Sequence, residues 1–316
     1  MVQFGAKPVR LFCGKGPRPE ESRYKMLPEP SNSNALHKLV AAAIAEDAPG
    51  GDITSFFFIP EKASSVAEIV AKASGIFAGE AVLKAVCDVV SGPISLHLYV
   101  SDGSPVKSGD VICRLEGPTR QLLLLERVTL NFLQRLSGVA TQTRQFVDAI
   151  KGTAAHILDT RKTTPLFRAL EKAAVVAGGG VNHRDGLSDM ILMKENHLSA
   201  MAAAGTLGQL RPLMQKAKQQ FPGIKIEIEI ETMDQLNTWD LSAADYIMLD
   251  NFGFETLPDA IAFIRARFPR AQVEISGNVT LQNVREYALL GVDRISIGSL
   301  THSVNALDLS MLFRSR

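Results

Sequence analysis

Apolar and polar positions follow two different rhythms along this chain. From about Ala63, short runs alternate apolar and polar residues and are punctuated by glycine, as in SSVAEIVAKASGIFAGE and ISLHLYVSDGSPVKSGDVICRLEG. A period of two with Gly-rich turns predicts strands. Upstream, HKLVAAAIAEDA from His37 repeats at helical spacing, and PGGDITS stops it. Downstream, PTRQLLLLERVTLNFLQRLSGVATQTRQFVDAI reads as one long helix. Around Leu122–Leu125 it is apolar over most of its circumference, which predicts burial on several sides or a subunit contact.

The second rhythm follows. HILDT (156–160), DMILMK (189–194), IKIEIEI (224–230), YIMLD (246–250), QVEIS (272–276) and RISIG (294–298) are short apolar runs separated by helix-like segments. They recur at intervals of roughly 20 to 35 residues, and strand–helix alternation of this kind predicts parallel βα units. Six in series favour a barrel, although spacing alone leaves a doubly wound sheet open. No solenoid-type repeat is present.

Composition narrows the class. A chain of 316 residues has room for two domains, or for a barrel with an appendage. With 46% hydrophobic and 21% charged residues it reads as a soluble globular protein. A net charge of +1 argues against a broadly basic nucleic-acid surface but permits a local basic pocket. Cys13, Cys87 and Cys113 are widely spaced and form no CxxC pair. They predict free thiols in a reducing cytosol rather than disulfides or a zinc site. No apolar run reaches the ~18 to 20 residues that span a bilayer, and the first residues lack the apolar stretch of a secretory signal. The expectation is a cytoplasmic protein that binds neither membrane nor nucleic acid. Residues 1–34, rich in Gly, Pro, Ser and charge, read as a loosely ordered, flexible extension.

Polar residues cluster where the apolar runs end. HILD runs into Thr160-Arg161-Lys162, DMILM into Lys194-Glu195-Asn196-His197, and YIML into Asp250-Asn251. QVEI runs into Ser276-Gly277-Asn278, and RISI into Gly298-Ser299. IKIEIEI and the residue after it place Glu227, Glu229 and Glu231 on one face. In a parallel barrel the carboxyl ends of the strands meet at one rim, where active sites are built. That rim would gather Arg161, Lys162 and Lys194, with His183 and Arg184 added by GGGVNHRDG. Arginine forks suit carboxylates and phosphates, and lysine acts as a point charge. Gly, Ser and Asn in the last two turns suit a phosphate. Acids beside a polyanion site suit Mg²⁺ or ribose hydroxyls. The residues thus predict a phosphate-bearing ligand, a second anionic ligand and Mg²⁺.

The strings EDAPGGDITS, ERVTLNFLQRLSGVATQT, DTRKTTP, GGGVNHRDGL, MKENH, IEIEIE, LDN, SGNV and GSLTHS, in this order, resemble the quinolinate phosphoribosyltransferase family. The resemblance runs from about residue 36 to the end of the chain. It implies an α/β fold with an N-terminal α/β sandwich domain (35–130) and an incomplete, open α/β barrel (131–316), whose C-terminal tail packs back on the sandwich. It implies a pentosyltransferase of NAD biosynthesis. Such an enzyme converts quinolinate and phosphoribosyl pyrophosphate to nicotinate mononucleotide, CO₂ and pyrophosphate with Mg²⁺. It also implies a homodimer, with higher assembly left open.

Carried over position by position, Arg161, His183, Arg184 and Lys194 would bind quinolinate, and Arg127 would reach it from the partner subunit. Lys162, Glu229, Asp250, Ser276, Gly277, Asn278, Gly298 and Ser299 would bind the phosphoribosyl donor. Lys162, Lys194, Glu229 and Asp250 would take the catalytic roles. Glu229 and Asp250 would also serve Mg²⁺, mostly through phosphate and water; choosing Glu229 over Glu227 and Glu231 rests on the resemblance. His197 is expected outside the site, as a supporting or capping residue. Plainer alternatives exist: solvated rim charges, an exposed helix arginine at Arg127, and ordinary turn chemistry at the Ser and Gly positions. Rival readings are a Schiff-base aldolase using Lys194, a relative with a different substrate, and a binding protein that has kept the fold. Within DTRKTTP, successive residues point different ways, so Arg161 is expected to face the pyridine carboxylates and Lys162 the phosphoribosyl donor.

Overall fold

The computed structural model describes residues 32–314 except Ser91. The extension expected over 1–34 lies outside the described residues apart from its last three, which open the first helix, α1 (Asn32–Asp47). After α1 come the short helix α2 (Ile53–Phe58) and strand β1 (Ser64–Ala71), then β2 (Gly75–Ile76) and helix α3 (Glu80–Val89). Strands β3 (Ser95–Leu98), β4 (Pro105–Val106) and β5 (Val111–Pro118) follow, with β2 and β4 forming a separate ribbon. Asp52 starts α2 by accepting the amides of Thr54 and Ser55, each at 3.0 Å, which satisfies two donors that a helix start leaves open.

A long helix, α4 (Thr119–Ala149, 31 residues), leads into the parallel strands. These are β6 (His156–Leu158), β7 (Met190–Met193), β8 (Lys225–Ile230), β9 (Tyr246–Asp250), β10 (Gln272–Ser276) and β11 (Arg294–Ser296). Helix α5 (Arg168–Ala177) follows β6, and helix α6 (Glu195–Ala203) follows β7. The described residues close with β12 (Leu309–Arg314).

Two main sheets result. One is four-stranded and antiparallel, in the order β12-β1-β5-β3. The last strand of the chain therefore lies beside the first strand, from Val66 opposite Arg314 to Ala71 opposite Leu309. The other sheet has six parallel strands in the order β6-β11-β10-β9-β8-β7. That order climbs without a reversal from β7 to β11, so it lacks the switch point of a doubly wound sheet.

The six-stranded sheet is curled. Its edge strands would stand roughly 24 Å apart if it were flat, yet groups following both edges face one cavity. Alternation in β8 explains the packing. Ile226, Ile228 and Ile230 join the core formed with the outer helices, while Glu227 and Glu229 point into the barrel. The result is an open α/β barrel beside an α/β sandwich.

Helix α4 accounts for its own all-round apolarity. Leu122, Leu130 and Leu133 belong to the core of the four-stranded sheet; Leu125, Val128, Phe132, Leu136 and Val139 belong to a larger core that runs from α1 and α3 into the barrel. Each fully buried leucine stabilises the fold by roughly 1.5–3 kcal/mol, so one helix ties two cores together. Close approach of the GGG segment matters too: a Cβ at Gly178 would lie 2.5 Å from Thr143 Cβ and 2.6 Å from the Ala140 carbonyl oxygen of α4. Among the described residues no helix is long and apolar enough to cross a membrane.

Candidate active site

At the carboxyl ends of the parallel strands lies a cavity of about 510 Å³. Thr160, Arg161 and Lys162 enter it from the end of β6, with Leu192 and Lys194 from β7 and its end. Met248, Asp250 and Asn251 come from β9, Ser276, Gly277 and Asn278 from β10, and Ser296 from β11. His183 and Arg184 enter from the segment after the three glycines. Nine of the residues expected at the site thus line one cavity: Arg161, Lys162, His183, Arg184, Lys194, Asp250, Ser276, Gly277 and Asn278.

The other four lie differently. Glu229 sits behind Lys194, 4% exposed, and its carboxylate accepts from the Lys194 ammonium. Gly298 backs onto Lys162: a Cβ there would lie 3.1 Å from Lys162 Cδ and 3.1 Å from His302 Nε2. Ser299 turns towards α4, where its carbonyl accepts from Gln142 Nε2 at 3.0 Å. Arg127 is away from this chain's cavity; its side chain is 60% exposed and its nearest carboxylate is Glu126 at 3.9 Å.

The cations are held in an anion-hungry state. Arg184 is 8% exposed and donates one Nη1 bond to the Met190 carbonyl at 3.2 Å. Its Nε, and that of Arg161, are buried without a hydrogen-bond partner. Burial holds the Arg184 guanidinium below its ordinary pKa, and the neighbouring Arg161 cation adds to the effect. Two guanidiniums that repel each other, each with an unpartnered Nε, can be relieved by an anion placed between them.

His183 faces inward. Its Nδ1 accepts the Arg184 amide at 2.8 Å, and its Nε2 stands 3.0 Å from Glu227 and 3.4 Å from Glu274. Glu274 is anchored by Arg294 at 2.7 Å, which lies over the Tyr246 ring. Burial alone would lower the imidazole pKa, but the two glutamates outweigh it and push it up to about 9. Burial, then repulsion from Glu274, pushes Glu227 up to about 7, whereas His183 and Arg294 hold Glu274 low despite its burial. Taking up a second proton costs the ring its Nδ1 bond from the Arg184 amide, and the two facing carboxylates supply the attraction that offsets it.

Burial also raises the Glu229 carboxyl, Lys194 opposes this, and Asp250 adds to it. Asp250 accepts from Asn251 Nδ2 at 2.7 Å. With φ of 54°, Asn251 adopts the left-handed conformation, which Asn tolerates better than most residues. Its Oδ1 accepts from Asn278 Nδ2 at 3.3 Å, so it joins the acid to the next loop. Lys194 caps α6, and His197 Nδ1 accepts the Lys194 amide at 3.1 Å. Of the two roles expected for His197, supporting or capping, it takes the capping one.

The sequence reading did not single out Asn251 or His302. Both stood inside quoted strings, LDN and GSLTHS, and polarity at a strand end was the available signal. The ion-paired Lys194 ammonium also argues against the Schiff-base alternative, which requires an apolar setting.

Two family models match the chain: "Quinolinate phosphoribosyl transferase, N-terminal domain" over residues 52–137, and the corresponding C-terminal domain over residues 139–312. The probable nicotinate-nucleotide pyrophosphorylase (carboxylating) of Bacillus subtilis is 43% identical over 282 residues, covering 89% of this chain and 94% of that protein. The nicotinate-nucleotide pyrophosphorylase (carboxylating) of Mycobacterium leprae is 37% identical over 281 residues, covering 88% and 97%. The solved nicotinate-nucleotide pyrophosphorylase of Francisella tularensis superposes with a TM-score of 0.79 at 35% identity, over 89% of this chain and 97% of that one.

Proposed function

The chain belongs to the quinolinate phosphoribosyltransferase family and makes nicotinate mononucleotide, CO₂ and pyrophosphate from quinolinate and phosphoribosyl pyrophosphate, a step of NAD biosynthesis; we propose that the rim cavity is where it does so. The observation that carries this assignment is the pair of buried, unpartnered Nε atoms on Arg161 and Arg184. Two neighbouring cations that make no ion pair among the described residues suit a dicarboxylate better than a single carboxylate. Lys194, already beside the pair's cavity, supplies a third positive charge.

The phosphoribosyl donor belongs on the other side of DTRKTTP. Support comes from Lys162 lying against Gly298 with His302 Nε2 beside it, and from the Ser276-Gly277-Asn278 turn. His302 is thereby added to the residues expected to meet phosphate. The donor set also suits Mg²⁺, which takes one or two carboxylates plus substrate phosphates. Asp250 would hold the ion with Glu229 behind it, and when bound it would supply positive charge to the pyrophosphate.

The protein's own contribution is then electrostatic and positional. Arg161, Arg184 and Lys194 hold the pyridine dicarboxylate so that its ring nitrogen meets C1 of the ribose. The C1–O bond breaks as the C1–N bond forms, and Lys162 steadies the departing anion. Glu229 and Asp250 face the positive charge that develops at C1. The ring nitrogen, now cationic, stabilises the electron pair left on the adjacent carbon when its carboxylate leaves as CO₂, and that carbon then takes up a proton. No general base is required, because the nucleophile carries its own lone pair.

The finer reading is a homodimer in the cytoplasm, with Arg127 acting in the partner's cavity. Support for the dimer is the exposed apolar face of α2, where Phe56, Phe57 and Phe58 are 64%, 76% and 79% exposed. Support for the compartment is that Cys87 and Cys113 are free thiols. The decisive assay supplies quinolinate or nicotinate, each with phosphoribosyl pyrophosphate and Mg²⁺, and follows mononucleotide and CO₂. Turnover is expected with quinolinate; turnover of nicotinate alone would overturn the dicarboxylate assignment.

A further inference from the structure

Helix α5 carries two adjacent opposite charges, Glu171 and Lys172, which are 0% and 2% exposed. Neighbouring residues on a helix point about 100° apart, so the two side chains reach different partners. Lys172 Nζ donates to Asp159 Oδ1 at 2.6 Å and to the His183 carbonyl at 2.8 Å. Asp159 Oδ1 also accepts the His183 amide at 2.8 Å. Lys172 therefore fastens the start of DTRKTTP, just before Arg161, to the segment that carries Arg184.

Glu171 fastens the other end. Its Oε2 accepts the Thr164 amide at 3.0 Å, and its Oε1 accepts the Thr164 hydroxyl at 2.9 Å and Arg135 Nη2 at 2.8 Å. Arg135 in turn donates to the Thr301 carbonyl, and the Thr301 hydroxyl donates to the Lys162 carbonyl at 2.8 Å. Glu171 thus ties the segment around Lys162 to the turn that carries Gly298 and His302.

Stability alone does not account for these charges. Removing two ions from water is costly, and well-packed apolar residues of similar volume often stabilise a core equally well. What an apolar pair could not do is hold two loop ends in a fixed relation by directed bonds. We propose that Glu171 and Lys172 are positioning residues with divided duties: Lys172 sets Arg161 and Arg184 for the pyridine dicarboxylate, and Glu171 sets Lys162 and the Gly298 turn for the phosphoribosyl donor. One turn of helix then fixes the separation of the two subsites, and hence where ring nitrogen meets C1. This rests on the assignment of Arg161 and Lys162 to different substrates made above.

The test is a pair of KM measurements on Lys172→Met and Glu171→Gln. Lys172→Met is expected to raise the KM for quinolinate on the order of tenfold while that for phosphoribosyl pyrophosphate stays within about threefold, since small misplacements of binding groups cost that much. Glu171→Gln is expected to do the reverse. Because Lys172→Met leaves the Asp159 carboxylate buried and alone, Asp159→Asn/Lys172→Met is measured as well and is expected to show the same split. Equal rises in both KM values in a folded variant, or no rise in either, overturn the proposal. Arg161→Ala and Lys162→Ala run alongside. If these fail to separate the substrates, the underlying assignment fails and the proposal falls with it. If they separate them and the α5 variants do not, only the α5 proposal falls.

Discussion

Arg184 and His183 are consecutive residues with opposite orientations: one guanidinium lines the cavity with an unpartnered Nε, while the imidazole Nε2 meets two interior acids. The second arrangement has a pH signature. The folded pKa of His183 is raised from 6.5 to about 9, so the folded state holds a proton that the unfolded chain has released. That contribution is whole below pH 6.5 and disappears as pH rises through about 9. It should amount to roughly 3 kcal/mol. Urea midpoints measured across this window should therefore fall with pH in the native protein and fall much less in His183→Gln; parallel profiles would contradict the assignment. At this scale the sequence carried the residue types and their clustering at strand ends. It did not carry the inward turn of His183. Its partners Glu227 and Glu274 are distant along the chain and meet only because β8 and β10 share a barrel interior.

Among elements, the junction of β9 and β10 shows how a turn can be committed to one residue. Gly277 has φ of 89°, and a Cβ there would fall 2.1 Å from Asn251 Oδ1. Gly277→Ala should displace Asn251 from Asp250 and from Asn278, at a local cost of about 1 to 3 kcal/mol. The expected outcome is a higher KM for phosphoribosyl pyrophosphate than for quinolinate relative to the native enzyme, with a lower melting temperature. An unchanged donor KM would remove this turn from the donor site. The parallel strands and their polar ends were legible because apolar runs of this length between helical stretches have few other readings. The duties of α5 were not. Glu171 and Lys172 look like surface charges in a sequence, and only the curled sheet brings Asp159, Thr164 and His183 to them.

For the whole molecule, helix α4 decides how the parts are joined, since it contributes side chains to both hydrophobic cores. Its own charged residue Arg127 points elsewhere, and a dimer that shares sites makes a quantitative prediction. Arg127→Ala and Lys194→Ala should each be inactive alone. After mixing and reassembly, about a quarter of the native sites should be restored, because half of random dimers are mixed and each mixed dimer has one intact site. No recovery in reassembled dimers would mean that Arg127 does not act across the interface. The sandwich has a further property, set by where its strands fall in the chain. Strand β1 lies between β5, which follows it closely, and β12, which holds residues Leu309–Arg314. During synthesis one side of β1 consequently lacks its strand partner until the barrel and then β12 have been made. Of the two main sheets among the described residues, the one begun earlier is completed later, and the order of translation is written into its hydrogen bonds.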